Sequence, residues 1–145
     1  MSLEDFKAKY VKAEEEAMLW GNVDAINDVY SPDLVVHSGQ YRFQESKGIE
    51  ARKQQIRANG QAFPILKPDW DEMVAEGDTI AYRYTMRLKH TGASPMAPVP
   101  PTGKELFLKG CQFLHLKDGK VSEVFGYTDM LGVMQQLGAM PPMRR

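Results

Sequence analysis

The stretch "KELFLKGCQFLHLKDGKVSEVFGYTD", residues 104–129, decides the fold. On either side of "KDGK" apolar and aromatic side chains alternate with polar ones, and an Asp-Gly pair between two such runs marks a hairpin. The preceding segment repeats the pattern. "IAYRYTMRLKH", Ile80 to His90, alternates in the same way, and a tight turn at "EGDT" joins it to a strand through Trp70 to Ala75 in a segment that takes up period two from about Ile65. Between the two hairpins, "TGASPMAPVPPTG", residues 91–103, is too rich in Pro and Gly for a strand interior. It is expected to connect over the mouth or edge of the sheet as a candidate lid.

The N-terminal third has a different period. Leu3, Phe6, Tyr10, Ala13, Ala17 and Trp20 recur at spacings of three and four, which forms one stripe on a helix. Ser2 with Asp5 is a capping box and Gly21 a stop. Asn22 restarts a short helix holding Val23, Ile26 and Tyr30, which Ser31-Pro32 ends. "DLVVH", residues 33–37, reads as a strand, and Ser46 to Asn59 as a third helix closed by Gly60. After the second hairpin come a short helix, Met130 to Leu137, and an irregular tail. Helices, strand, helix and then antiparallel hairpins spell an α+β fold, with helices collected on one face of a curled antiparallel sheet and a cavity between them.

At 145 residues the chain is expected to be a single domain, 1–145. Its 18 basic and 19 acidic side chains leave a formal charge of −1, which offers no field to draw a polyanion, so nucleic acid is not an expected partner. The basic cluster "EARKQQIR", residues 50–57, reads as a solvated helix face. Cys111 is the only cysteine, so no intramolecular disulfide forms; it reads as a small apolar filler. Charges recur through the first 30 residues and exclude a signal-peptide core, and no apolar run reaches the roughly 18 residues of a membrane helix. The expectation is a cytoplasmic protein with no membrane partner.

Strict alternation along the last strand sets Val121, Phe125, Tyr127 and Asp129 on one face and Ser122, Val124, Gly126 and Thr128 on the other. If the first face looks toward the helices, Asp129 lies in an apolar hollow, where desolvation raises its pKa and makes it a candidate acid or base. The competing reading is an N-cap for the helix that follows.

The pieces "AEGDTIAYRYTMRLKHTG" (75–92), "PPTGKEL" (100–106) and "KDGKVSEVFGYTDMLGVMQQLG" (117–138) resemble the SnoaL-like polyketide cyclase family of the nuclear-transport-factor-2-like superfamily. The resemblance implies a cone-shaped α+β barrel, its pocket between a curled antiparallel sheet and the N-terminal helices, assembled as a homodimer or higher oligomer. It places the family's catalytic aspartate at Asp129, with Glu123 and Phe125 in the preceding "E-x-W" element. Phe for Trp keeps an aromatic wall but removes an N–H donor. The reaction implied is acid–base aldol closure of a polyketide ester, without metal or organic cofactor.

His37, at the end of the short strand, and His90, in "KHTG", are further catalytic candidates, since imidazole titrates near neutral pH. A type I′ turn at Asp118-Gly119 sets His115 opposite Ser122 and away from Asp129, whereas a bulge reverses that conclusion. Three scattered histidines without i,i+2 or i,i+4 pairing argue against a metal site. Expected pocket walls are Tyr10, Trp20, Trp70, Tyr82, Tyr84, Gln112, Phe125 and Tyr127. Arg83 either faces solvent or, turned inward, serves an anionic group. The reading is acid–base catalysis on a small hydrophobic carbonyl compound; the alternative is a non-catalytic ligand-binding or oligomerisation module. In both, the outer sheet face meets a partner subunit.

Overall fold

A computed structural model describes residues 2–38, 44–94, 97 and 99–140. Positions 95, 96 and 98 of the expected lid, and the last five residues of the tail, lie outside the described residues. The element order is α1 (Leu3–Trp20), a 3₁₀ turn (Val23–Asp28), β1 (Tyr30–Ser38), β2 (Gln44–Lys47), α2 (Ile49–Ala62), β3 (Ile65–Glu76), β4 (Thr79–Lys89), β5 (Glu105–Lys117), β6 (Lys120–Thr128) and α3 (Met130–Gln136). One curled, unclosed sheet holds the strands in the order β2-β1-β6-β5-β4-β3. Its pairings are antiparallel except where β1 runs parallel to β6, so the expected antiparallel sheet contains one parallel seam. Pro68 is tolerated in β3 because that strand is an edge, where a missing donor costs no ladder bond.

α1 begins as its sequence dictates: Ser2 Oγ accepts the Asp5 N–H at 3.1 Å and the Asp5 carboxylate accepts the Ser2 backbone N–H. It ends at Gly21, whose φ of 75° suits a residue without a side chain. Phe6, Tyr10, Ala13 and Ala17 are buried, and Glu14, one turn beyond Tyr10, shares their side. That shift of the buried arc leaves Trp20 at its rim, 77% exposed in the last turn and away from the buried core.

Other boundaries move for local reasons. Tyr30 opens β1 instead of closing a helix, and only a 3₁₀ turn precedes it. β2 is unanticipated because "QESK" has no branched or aromatic residues. α2 runs through Gly60 to Ala62, since the tertiary packing of Ile56, Ala62 and Phe63 outweighs the small helix penalty of one glycine. The segment after His90 returns to the sheet: His90 N–H meets Lys104 O and Gly103 N–H meets His90 O, both at 2.8 Å. Thr91 and Gly92 donate to Ala62 O, tying this connection to the end of α2.

The turn between β5 and β6 has positive φ at both Asp118 (53°) and Gly119 (79°), as a type I′ turn requires. A bulge then intervenes: Leu116 pairs with Val121, but His115 pairs with Glu123. Ser122 is the extra residue, and beyond it every side chain changes face. Val121 and Val124 are therefore both buried. Gly126 and Thr128 continue the concave face below the helices, while Glu123, Phe125 and Tyr127 lie on the convex face. The expected grouping of Val121 with Phe125 and Tyr127 fails at this one inserted residue.

Candidate functional site

The helices cover the concave face over β4 and the start of β1, and there a run of polar side chains lies within the core. Glu14 of α1 is buried, 1% exposed. Tyr30 donates a short hydrogen bond to its Oε1, and Arg52 Nη2 of α2 stands 3.3 Å from its Oε2. The Tyr10 hydroxyl lies 2.9 Å from those of both Tyr30 and Tyr82. Tyr82 is in turn 2.9 Å from Gln112 Oε1 on β5. Beside this run, Tyr84 and Thr128 hydroxyls are 3.3 Å apart. Trp70 stands edge-on to Tyr10 at 6.1 Å and 5.2 Å from Tyr82, its indole N–H bonded to Glu15.

These phenols sit where ionisation is disfavoured. Burial pushes the hydroxyl pKa values of Tyr10, Tyr30 and Tyr82 well above the ordinary phenol value, and the neighbouring Glu14 charge adds to the effect. Burial raises Tyr84 as well. Burial works against the Arg52 charge, but Glu14 outweighs it with help from the surrounding tyrosines, so the guanidinium stays charged. A buried carboxylate is tolerable because both its oxygens are served.

Two glycines shape the face. A Cβ at Gly110 would lie 2.5 Å from the Tyr84 hydroxyl, so only glycine admits that ring. At Gly126 a Cβ would stand 3.5 Å from Gln112 Nε2, in ordinary contact with the amide. Gln112, Gly126, Thr128 and Val36 are half-buried, making this the reachable part of the concave face.

Of the expected wall residues, Tyr10, Trp70, Tyr82, Tyr84 and Gln112 meet here. Phe125 and Tyr127 do not: the bulge turns them to the convex face, where Tyr127 is 49% exposed. Trp20 instead borders a groove of about 570 Å³ with Val11, Trp70 and Met73, outside the tyrosine cluster.

Asp129 is exposed and caps α3, its Oδ1 accepting the Gly132 N–H at 2.9 Å. The apolar hollow expected around it is absent because its strand face is the convex one. His37 also lies on the convex side, stacked on Phe125 at 4.4 Å, with Nε2 2.8 Å from Glu123 and Nδ1 3.6 Å from Glu45. His115 is 5.7 Å from the same Phe125. His90 is fully buried, stacked on Phe63, and its Nδ1 accepts the Thr102 N–H at 3.1 Å. It serves the loop backbone, apart from the tyrosines. Arg83 is solvated and paired with Glu72. Among the described residues, no three His, Cys, Asp or Glu side chains gather as a metal site would require.

Glu14 and Arg52 are the members of the cluster that sequence reading passes over as site residues. Glu14 belongs to an acidic triplet and Arg52 to the basic cluster, both of which look like solvated helix faces. The available signal was the i,i+4 spacing of Glu14 from Tyr10, which sets a carboxylate beside the apolar stripe.

Helices roofing the concave face of a curled, open sheet, with polar groups held in the hollow, define the nuclear-transport-factor-2-like class of α+β protein. Within it, the chain belongs to the SnoaL-like polyketide cyclase family, whose model matches residues 8–137. No curated protein matches the sequence. Solved structures do. AclR from Streptomyces galilaeus, provisionally a hydroxylase, is 26% identical over 99% of this chain and 87% of its own, with a TM-score of 0.82. TsrD from Streptomyces laurentii is 20% identical over 97% of this chain and 99% of its own, at 0.81. IdmH from Streptomyces antibioticus, provisionally a polyketide cyclase, is 21% identical over 92% and 98%, at 0.75. The last two likenesses are of fold alone. Among the described residues no helix is long and apolar enough to cross a membrane.

Proposed function

We propose that this protein carries out cofactor-independent acid–base chemistry, of the aldol-cyclisation or isomerisation kind, on a small hydrophobic carbonyl compound bound to the concave face. The observation that carries the reading is a buried carboxylate joined through three phenols to a half-buried amide. Enolate formation needs a carboxylate and hydroxyl donors shielded from water, and the burial of Glu14, Tyr10, Tyr30 and Tyr82 supports this reading. Family membership supports the same chemistry. The test is incubation with an aryl methyl ester bearing an acetoacetyl side chain, followed by mass spectrometry and chromatography. A cyclised or isomerised product formed only with protein is expected; recovery of unchanged ester as fast as from buffer would sink the proposal.

One observation favours the non-catalytic reading, a binding module: Asp129 is exposed and already engaged as a cap. Saturable binding of an ester that is returned intact would decide for it.

We further propose a homodimer joined through the convex face, where Val74, Phe113 and Tyr127 are exposed large hydrophobics and Phe125, on the same strand as Tyr127, pairs with Phe113. The aromatic patch on β5 and β6, bordered by the Arg83–Glu72 and Arg87–Glu105 pairs, is the part of this face that a partner would cover. Light scattering should report twice the chain mass and Phe113→Glu should halve it; a parent mass of one chain would refute the assembly. The near-neutral, single-cysteine composition suits a cytoplasmic site of action.

A further inference from the structure

The convex face carries a cluster of ionisable side chains that the concave site does not use. His37 of β1 stands between two carboxylates: its Nε2 is 2.8 Å from Glu123 of β6 and its Nδ1 is 3.6 Å from Glu45 of β2. Lys47 Nζ lies 3.6 Å from the other oxygen of Glu45. A neutral imidazole has one N–H and one lone pair, so it can answer only one of these carboxylates. With His37 neutral, two carboxylates against one ammonium leave the cluster at −1, whereas an imidazolium brings the sum to zero.

We propose that assembly through the convex face takes up one proton per protomer at His37, so that the dimer tightens as pH falls through the histidine range and loosens above it. This rests on the homodimer proposed above and gives that interface its regulation. The cluster adjoins the aromatic patch. His37 stacks on Phe125 with ring centroids 4.4 Å apart, and Phe125 pairs with Phe113 and shares its strand face with Tyr127. A partner seated on these aromatics covers the ions beside them. In the free protomer His37, Glu45 and Glu123 are partly exposed, and water serves whichever carboxylate the imidazole leaves unanswered. Once a partner excludes that water the unanswered charge is costly, and a second proton on His37 removes the cost. A twofold axis brings the same cluster from both protomers, so the linkage counts twice per dimer.

Among the described residues, the groups facing His37 are Glu45 from β2, with Lys47 behind it, and Glu123 and the Phe125 ring from β6. Beyond that ring lies His115 from β5, 5.7 Å from Phe125. His115 pairs with Glu123 across the strands, but its Nδ1 is 3.4 Å from the Thr79 hydroxyl, so it has a neutral partner. Linkage sets the sign. A proton held more tightly by the dimer than by the free protomer stabilises the dimer fully on the acid side of the histidine range, and that contribution is lost as pH rises through it. Below about pH 5 the carboxylates begin to lose their own charge, so the effect is read above that pH.

The experiment measures the dimer Kd on the acid side of the histidine range, about pH 6, and on its alkaline side, about pH 8.5, by sedimentation with fluorescence detection and the dye on the N-terminal amine. Where dissociation falls below the detection range, the rate of exchange between labelled and unlabelled protomers gives the same ratio. The parent dimer should be about tenfold weaker at the higher pH. His37→Gln should remove that difference. Glu45→Gln leaves Glu123 as the one carboxylate for a neutral imidazole, and should keep the alkaline dimer as tight as the acid one. His115→Gln should behave as the parent does. Each ratio compares one variant with itself, so packing lost at position 37 cancels, and circular dichroism checks that each variant is folded. A parent ratio near one, a ratio that survives His37→Gln, or one lost in His115→Gln overturns the proton uptake and leaves the dimer standing. A single-chain mass at both pH values overturns the dimer, and the uptake with it.

Discussion

Replacing Asp129 by alanine tests whether this exposed carboxylate is primarily architectural. Its Oδ1 accepts the Gly132 N–H at 2.9 Å, satisfying one of the donors left free at the start of α3, and its charge faces the positive end of the helix. Loss of such a cap costs about 0.5–2 kcal/mol. Two features argue for the middle of that range. The cap is exposed, so water partly replaces it. The helix is also held independently by burial of Met130, Val133 and Met134 and by the Gln136 amide, which bonds both the N–H and the carbonyl of Phe107 at 2.8 Å. A loss of about 1 kcal/mol is expected, or about 3 °C in Tm for a chain of this size. Urea unfolding followed by circular dichroism reads it directly, with unchanged slope and lowered midpoint. Asp129→Asn retains an acceptor and should recover most of the loss, ceding only the dipole contribution of about 0.3–1 kcal/mol. A variant Asp129→Ala as stable as the parent, or more so, would refute the capping account and return the residue to the list of groups kept for chemistry.

Gly132→Ala should destabilise the same turn, because its Cβ would stand 2.5 Å from Asp129 Oδ2; a midpoint unchanged within error would show that the cap is not held as described. Gly110→Ala should cost about 1–3 kcal/mol, since the new methyl meets both the Tyr84 hydroxyl and the Tyr127 carbonyl, and Tyr84→Phe in that background should restore part of it. Glu14→Ala leaves Arg52 without its buried partner and should cost about 3 kcal/mol, the low end for such pairs because the guanidinium keeps some solvent contact. Alkaline titration gives the sign of the phenol shifts. A phenol whose pKa is raised in the folded state contributes stability that is fully present below the unfolded value, about 10, and lost as pH rises through the folded value. Absorbance of tyrosinate should therefore show Tyr10, Tyr30, Tyr82 and Tyr84 ionising only as the protein unfolds above that pH; their ionisation with circular dichroism unchanged would contradict the burial.

The fold was legible because it rests on local signals that survive packing. Two alternating runs around an Asp-Gly turn fixed a hairpin, the Ser2–Asp5 box and Gly21 bounded α1, and the apolar stripe named Tyr10 as buried. The resemblance of "KDGKVSEVFGYTDMLGVMQQLG" to a family motif places the chain in its superfamily from sequence alone. The inward facing of Tyr82, Tyr84 and Gln112 is legible too, since inward residues of paired strands keep period two for as long as the register holds.

What the sequence by itself determined was therefore the two hairpins, the bounds and buried stripe of α1, the inward face of β4, and the family. Which carboxylate lies in the hollow was decided only by tertiary structure. A single extra residue, Ser122, reverses the facing of β6 and carries Phe125, Tyr127 and Asp129 out to the convex side. Glu14 and Arg52 sit in charged runs that read as solvent-facing, and they are drawn inside only because helices α1 and α2, 38 positions apart at these two residues, close over the same strands. Burial of a charge depends on a partner that sequence spacing cannot show, whereas burial of an apolar stripe needs only somewhere to go.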